Sequence, residues 1–355
     1  MNRAEAEDRL LRLVDGYDRR SDTSDVTVDL EQPSTGWTWT FGDGNAPYFI
    51  ASITKLYTSA MVFQLRRRRL IELDAPILTY LGADVVAGLS VIDGVDQGPK
   101  ITVRHLLSHT SGIPDYFEGK RADGGTTFGR ALAGGPGWTF TEAIDIARRQ
   151  MRPAFAPGTP GRASYSDTNY QLLGAIIEAV TGDSYQASLE TGILAPLGLE
   201  RTYLFSNATA DRYPSVSTML LDTTPLHIPQ VMASVGADGG IVSTAVESMR
   251  FLRAFVAGEL FPREDVADMQ REWRRIFYPL RYGIGLMRFS LPRLFTGLRP
   301  MPVLVGHSGA SGAIAFYAPK VDLYVTGTVN QVKKRSLAYQ LLTRIVMLAA
   351  RASDR

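Results

Sequence analysis

Apolar residues recur along the chain with two different periods, and each period occupies its own regions. Near the amino terminus they return at helical spacing over about residues 4–19, which predicts a helix. Residues 26–30 and 37–41 then alternate apolar and polar positions, as antiparallel strands do. From residue 76 to residue 199 the pattern is mainly helical, with long loops between the helical segments.

Strand patterns return in the last part of the chain. Residues 313–317 and 323–329 form apolar runs of strand length, and helical spacing resumes over about residues 334–350. This order of elements predicts an α/β protein of the α+β type, in which an antiparallel sheet is flanked by terminal helices and interrupted by a mainly helical insertion.

The same pattern predicts where the chain divides. Residues 1–75 and 200–355 are expected to form the sheet subdomain, and residues 76–199 the mainly helical subdomain. Residues 115–138 are rich in glycine and polar residues and too long for a plain connector, so we expect them at the rim of a functional site.

Composition narrows the possible partners. The chain has 355 residues, a net charge of +2 and no cysteine, so nucleic acid, an anionic membrane and thiolate chemistry are not suggested. The charged first nine residues lack the apolar core of a signal peptide, and no apolar run reaches the length of a membrane span. We therefore expect a cytoplasmic protein, or a periplasmic or secreted one if the amino terminus has been trimmed. The oligomeric state is left open.

The strongest chemical signal is a serine followed by a lysine one helical turn later. Ser52 stands where the apolar run 48–50 gives way to a helical pattern, so it is predicted to begin a helix. Lys55 shares its face of that helix. A helix start favours a developing negative charge, and a serine needs a neighbouring group to take its proton. This pair is therefore the candidate nucleophile with its activating group.

Two further motifs follow in order. Tyr165-Ser166-Asp167 reads as a turn before a helix, and the H-x-G sequence at residues 307–309 follows a strand-like apolar run. With S-x-x-K at residues 52–55, the set resembles the serine β-lactamase and penicillin-binding-protein superfamily. The resemblance is closest to the branch of class C β-lactamases, serine D-Ala-D-Ala carboxypeptidases, D-aminopeptidases and lactamase-like esterases. It implies a β-lactamase/transpeptidase-like fold in which the three motifs meet at an active site in the cleft between the two subdomains.

The group that takes the serine proton stays open at this stage. Lys55 is a base only if its ammonium loses a proton, and Tyr165 only if the neighbouring lysine lowers the pKa of its phenol. By resemblance we favour Tyr165 as the proton relay. Asp167 departs from the asparagine usual in the family: an ionised carboxylate only accepts hydrogen bonds, so it would pair with Lys55 and fail to bind an acylamido carbonyl.

The third motif is expected to bind substrate. His307 replaces a lysine and could orient a substrate carboxylate or move a proton near neutral pH. Ser308 belongs to the same motif, and Gly309 would let substrate lie along the strand edge. The resemblance implies that the backbone N–H groups of Ser52 and Ala310 form the oxyanion hole.

These observations predict a serine hydrolase that works through a Ser52 acyl-enzyme without a metal or organic cofactor. His105 and His109 have helical metal-pair spacing but no supporting carboxylate motif, and the glycine-rich residues 236–240 lack phosphate-loop or dinucleotide spacing.

The first expectation for the substrate is a carboxylesterase on small acyl esters. The alternatives are a D-Ala-D-Ala carboxypeptidase or D-aminopeptidase, a class C-like β-lactamase, and a non-catalytic binder of lactam-like ligands. The partner would be a small ester, peptide or lactam.

Overall fold

An eight-stranded antiparallel sheet forms the centre of the structure, a computed structural model that describes residues 1–353. In chain order the strands are β1 (Thr27–Gln32), β2 (Trp37–Phe41), β3 (Tyr48–Phe49), β4 (Val91–Ile92), β5 (Val95–Asp96), β6 (Tyr203–Leu204), β7 (Leu220–Leu221), β8 (Thr224–Pro225), β9 (Ile241–Ser243), β10 (Arg274–Phe277), β11 (Leu280–Tyr282), β12 (Met287–Phe289), β13 (Leu304–Ser308), β14 (Ala313–Ala318) and β15 (Leu323–Thr328).

The central sheet joins the two ends of the chain. Its strand order is β10-β11-β12-β13-β14-β15-β1-β2, and every neighbouring pair is antiparallel. A smaller sheet has the order β3-β9-β6, and β4–β5 and β7–β8 form two hairpins. The predicted antiparallel sheet is confirmed.

Helices cover this sheet and fill the insertion. Within residues 1–353 they are α1 (Arg3–Asp18), α2 (Thr54–Arg67), α3 (Ala83–Val86), α4 (Val103–Leu107), α5 (Thr127–Leu132), α6 (Phe140–Gln150), α7 (Asp167–Thr181), α8 (Tyr185–Leu189), α9 (Ala195–Leu197), α10 (Pro229–Val235), α11 (Ala245–Ala257), α12 (Arg263–Met269) and α13 (Ser336–Ser353).

The terminal helices lie together on one face of the sheet. Helix α1 starts at an Asn2 cap, whose side chain accepts the Glu5 N–H at 2.8 Å. Its buried stripe, which includes Leu10 and Val14, packs in one cluster with Leu341 of α13 and with side chains of the central strands. The helical spacing read from the sequence therefore marks the face that the sheet covers.

The other face carries α11 and, beyond it, the helical insertion. Leu56 of α2, Leu173 of α7 and Leu252 of α11 belong to one buried cluster that runs from the sheet into the insertion. The division at residues 75 and 199 stays a prediction, because apolar packing is continuous across it. No helix among the described residues is both long and apolar enough to cross a membrane.

The arginine run that ends α2 joins this helix to α12. Arg66 and Arg67 lie 2.9 and 3.0 Å from the two carboxylate oxygens of Asp265, whose side chain is buried on α12. Two guanidinium groups shared by one buried carboxylate fix α2 against α12. This end of the helix therefore anchors the element that carries Lys55 and follows directly on the turn with the candidate nucleophile.

Candidate active site

Ser52 lies in a short 3₁₀ turn, Ala51–Ile53, between β3 and α2. The sequence predicted that Ser52 begins the helix, but α2 begins two residues later at Thr54. Ala51 has a φ of +46°, a left-handed conformation that is costly for a residue with a side chain. The turn presents Ser52, which is half-buried, at the mouth of a cavity.

Lys55 lies fully buried behind Ser52 with three acceptors around its ammonium group. Its Nζ is 3.3 Å from Ser52 Oγ, 2.5 Å from Asp167 Oδ1 and 2.5 Å from the backbone oxygen of Asp238. An ammonium has three N–H donors, so each finds a partner. Burial alone would lower the pKa of Lys55, but the charges of Asp167, Tyr165 and Asp238 raise it above its usual value. Lys55 is therefore a cation at neutral pH.

Tyr165 stands beside this ammonium, two residues before α7. The Lys55 Nζ is 5.1 Å from the centroid of its ring. Burial raises the pKa of the Tyr165 phenol, and the nearby Lys55 charge together with hydrogen bonding to Ser52 and Lys55 opposes that rise only in part. The phenol is therefore protonated at rest. Its hydroxyl lies within hydrogen-bonding reach of Ser52 and Lys55.

Asp167 is one of three carboxyl groups in this pocket. Asp115 Oδ1 accepts the Asp167 N–H at 3.2 Å, and Asp238 Oδ2 accepts the Tyr116 O–H at 3.0 Å. Burial raises the pKa of each of the three carboxyls, and the ammonium of Lys55 opposes the rise for Asp167 and Asp238. Because Asp167 makes the direct ion pair, we assign the carboxylate charge to it.

His307 differs from the sequence expectation of a group that titrates near neutral pH. It is fully buried in β13; its Nδ1 donates to the Ser308 carbonyl at 2.7 Å, and its Nε2 accepts from the Tyr282 hydroxyl at 3.1 Å. Burial and the Lys55 charge lower the pKa of His307 to about 3. The imidazole is neutral, so it supplies no positive charge for a substrate carboxylate.

The end of β13 lies against the serine turn. A Cβ on Gly309 would meet the Ile50 carbonyl oxygen at 2.3 Å, so glycine permits this close approach of two backbones. The sequence predicted that Gly309 would let substrate lie along the strand edge, whereas the structure shows it making room for the backbone at Ile50. Ala310 lines the same cavity as Ser52, as the oxyanion expectation requires, whereas the Ser308 hydroxyl is hydrogen-bonded to Tyr339 of α13.

His109 is the site residue whose role the sequence missed. Its carbonyl accepts the Ser164 N–H at 2.9 Å and its Nδ1 accepts the Ser166 N–H at 3.2 Å, so it holds the chain on both sides of Tyr165. His105 serves as part of a capping box with Thr102 at the start of α4. The H-T-S-G run at residues 109–112 was the available signal, but nothing local indicates what it contacts.

The cavity in front of Ser52 is apolar. The space between its walls and in its open mouth, solvent included, is about 610 Å³, and side chains such as Met219, Ile228, Val231 and Met232 form its wall. Four residues of the predicted rim segment contribute to the same lining: Phe117, Phe128, Ala131 and Leu132. Asp167 and Asp238 are the carboxyl groups at its inner end.

Comparisons with known proteins agree with this arrangement. A family model described as Beta-lactamase matches residues 30–346. Penicillin-binding protein PbpX of Bacillus subtilis (strain 168), described as putative, is 25% identical over 67% of this chain and 52% of its own length. Esterase EstB of Burkholderia gladioli is 30% identical over 46% of this chain and 40% of its own length. The chain thus spans about half the length of these curated relatives.

Solved structures match over nearly the whole chain. A D-stereospecific amidohydrolase from Streptomyces sp. superposes with a TM-score of 0.76 at 27% identity, covering 96% of this chain and 98% of that one. The expected β-lactamase/transpeptidase-like fold is confirmed.

Proposed function

The chain belongs to the Beta-lactamase family, a family of serine hydrolases, and on that premise we propose that it is a carboxylesterase that cleaves small acyl esters through an acyl-enzyme on Ser52. One observation carries the choice of substrate: Asp167, paired with Lys55, faces the apolar cavity where the family pattern has a neutral amide. The esterase among the relatives is consistent with this choice.

The proposed reaction uses the three motif residues in fixed roles. Ser52 Oγ attacks the ester carbonyl carbon as its proton passes to the Tyr165 oxygen, and in the same step Tyr165 gives its own phenolic proton to the alkoxy oxygen of the ester, so the phenol stays neutral. The C–O bond then breaks and the alcohol leaves with that proton. Water then attacks the acyl-enzyme by the reverse route. Lys55 stays protonated and stabilises the negative charge that develops on this path. The backbone N–H groups of Ser52 and Ala310 would hold the carbonyl oxygen.

The Asp167 carboxylate supports esters over acylamido substrates. A penicillin or a peptide offers a carbonyl that needs a hydrogen-bond donor, and an ionised carboxylate can only accept. Placing that carbonyl beside Asp167 would leave two acceptors facing each other in a buried site, at a cost of about 1–3 kcal/mol for the unsatisfied group. A simple acyl ester has no such carbonyl and avoids the cost.

The state of His307 argues against a D-Ala-D-Ala carboxypeptidase. Such a substrate ends in a carboxylate, which a cation in the third motif would bind. His307 is neutral, and both of its ring nitrogens already have partners within the protein. A terminal carboxylate would therefore meet the Asp167 charge without a compensating cation from this motif.

A second candidate is hydrolysis of amino-acid esters or amides that carry a free amino group. The specific observation in its favour is that two carboxyl groups, Asp167 and Asp238, lie at the inner end of the cavity. Asp238 Oδ1 is buried without a hydrogen-bond partner, and a substrate ammonium could satisfy it. The structural match to a D-stereospecific amidohydrolase fits this candidate as well.

A substrate panel tests the proposal. We expect turnover of p-nitrophenyl acetate and of longer p-nitrophenyl esters up to octanoate, and weak or no turnover of nitrocefin and D-Ala-D-Ala peptides. A fluorophosphonate probe should label Ser52, and Ser52→Ala should lose the label and at least ~10³-fold of the turnover. A phenylalanine methyl ester compared with its des-amino analogue, methyl 3-phenylpropionate, separates the second candidate from the first. Binding of lactams without turnover of any substrate would instead indicate a non-catalytic relative.

A further inference from the structure

Five large apolar side chains are exposed in one short region of the chain. They range from 51% exposure for Phe277 to 77% for Leu294, and the others are Tyr278, Phe295 and Leu298. Leaving several such side chains in water costs hydrophobic free energy, and an apolar patch of this kind marks an interaction surface. Nothing in the proposed ester reaction uses the three on residues 294–298.

The strand register brings these side chains to the same end of the sheet. Arg281 of β11 pairs with Arg288 of β12, and Phe289 pairs with Leu304 of β13. The β10–β11 turn at residues 278–279 and the β12–β13 connection at residues 290–303 therefore leave the sheet on the same side. We call residues 277–278 and 293–299 together the apolar–basic tip.

The charge around the tip has one sign. Residues 273–321 contain six arginines and no aspartate or glutamate, although the net charge of the whole chain is only +2. Arg275, Arg281, Arg293 and Arg299 are exposed, and none of these four forms an ion pair within residues 1–353. Arg293 and Arg299 stand on either side of the exposed leucines and phenylalanine.

We propose that the apolar–basic tip docks on the surface of an anionic lipid bilayer. Apolar side chains at the end of a loop can enter the boundary between headgroups and acyl chains, while arginines behind them stay among the phosphates. Basic residues close to an anionic surface add electrostatic attraction, which salt screens. The order basic–apolar–basic over residues 293–299 suits this layered environment.

A second copy of the chain is a less suitable occupant. In a two-fold symmetric contact the same patch meets itself, which would place these unpaired arginines opposite one another. Like charges brought together in an interface oppose association. An anionic membrane supplies the missing negative charge and needs no matching groove.

Docking in this position would bring the active site close to the lipid. The ring of Phe277 at the edge of the tip contacts that of Tyr165, with centroids 5.9 Å apart. The apolar–basic tip therefore begins at the lip of the candidate active site, and a docked enzyme would meet substrates that partition into the bilayer. This inference goes beyond the proposed esterase function and can fail without it.

Vesicle co-sedimentation of the full chain tests the proposal. The protein should sediment with vesicles of phosphatidylcholine and phosphatidylglycerol, bind weakly to phosphatidylcholine alone, and dissociate as salt is raised. Combining Leu294→Ser, Phe295→Ser and Leu298→Ser should lower the partition coefficient at least ~10-fold. Combining Arg293→Gln and Arg299→Gln should weaken binding to the anionic vesicles and reduce its salt dependence.

The matched control changes exposed apolar residues elsewhere. Val91→Ser with Val95→Ser alters the β4–β5 hairpin, whose valines are also exposed, and should bind vesicles like the unmodified chain. Ester turnover without lipid checks that the variants are folded. The proposal is overturned by absent or lipid-independent binding, by a triple-serine variant that binds normally, or by a dimer in sedimentation velocity that this variant dissociates.

Discussion

The imidazole of His109 lies against the phenol ring of Tyr165, with ring centroids 4.4 Å apart and planes inclined by 33°. His109 also accepts backbone N–H groups from Ser164 and Ser166, the two neighbours of Tyr165. It adopts a left-handed backbone, with φ at +56°. A strained residue that packs on the Tyr165 ring and holds the residue on each side of it restricts where the Tyr165 hydroxyl lies.

Loss of the His109 ring should therefore lower catalysis more than binding. We expect His109→Ala to reduce kcat by about 10–10²-fold with a small change in KM. The reason is that displacing Tyr165, the proton relay, raises the free energy of the transition state more than that of the bound substrate. His109→Asn tolerates the left-handed backbone and retains an acceptor near the Nδ1 position, so it should recover part of the loss. Steady-state kinetics with thermal unfolding of both variants checks this. Equal kcat in both variants and the unmodified enzyme would contradict it.

Removal of the Tyr165 hydroxyl should slow acylation directly. Lys55 is cationic and cannot accept the serine proton, so Tyr165→Phe is expected to reduce kcat/KM for an ester by roughly 10²–10⁴-fold. Tyr170→Phe is the matched control, since its ring also lies near Lys55, with the Nζ 5.4 Å from its centroid, while its hydroxyl donates to the Leu107 carbonyl. If Tyr165→Phe stays within a few-fold of normal while Lys55→Ala is inactive, the two roles are reversed.

Replacement of Asp167 by asparagine should shift specificity toward lactams. The amide can donate to an acylamido carbonyl, which is worth about 1–2 kcal/mol, or roughly ten-fold in kcat/KM for nitrocefin. Ester turnover should stay level or fall. Asp115→Asn is the control, because it removes a neighbouring carboxyl that is bonded to the Asp167 N–H. An unchanged ester-to-lactam ratio in Asp167→Asn would assign specificity to the 115–138 rim instead.

His307 should make the fold less stable as the pH falls. Its folded pKa is lowered to about 3, against about 6.5 for an unperturbed histidine. Between these values the unfolded chain binds a proton that the folded chain does not, so the free energy of unfolding decreases with falling pH by up to about 1.4 kcal/mol per pH unit.

The comparison with His307→Gln isolates this effect. Glutamine can bond to both His307 partners without titrating, so the difference in urea midpoint between the two proteins should change between pH 6.5 and pH 4. The buried carboxyls Asp115 and Asp238, whose pKa values are raised, act in the opposite direction in both proteins and cancel in the comparison. Parallel midpoint curves over this range would show that His307 does not titrate as expected.

The sequence by itself determined the elements and the order of the motifs. The helical stripe of α1, the alternation in β1 and β2, and the S-x-x-K, Y-S-D and H-S-G motifs are local patterns, and each was readable within a short window. The pairing of Asp167 with Lys55 was expected only because the family resemblance brings their motifs together, since the two residues are 112 positions apart in the chain.

Only the tertiary structure decided the environment of those residues. Asp238 reaches Lys55 across 183 positions in the chain, and Tyr282 of β11 reaches His307 of β13 although β12 lies between these strands in the sheet. Burial made His307 neutral and kept the Tyr165 phenol protonated, and burial depends on long-range packing. Sequence patterns report which groups are present and how they are spaced. The pKa values and partners of these groups depend on desolvation and distant charges, which exist only once the chain has folded.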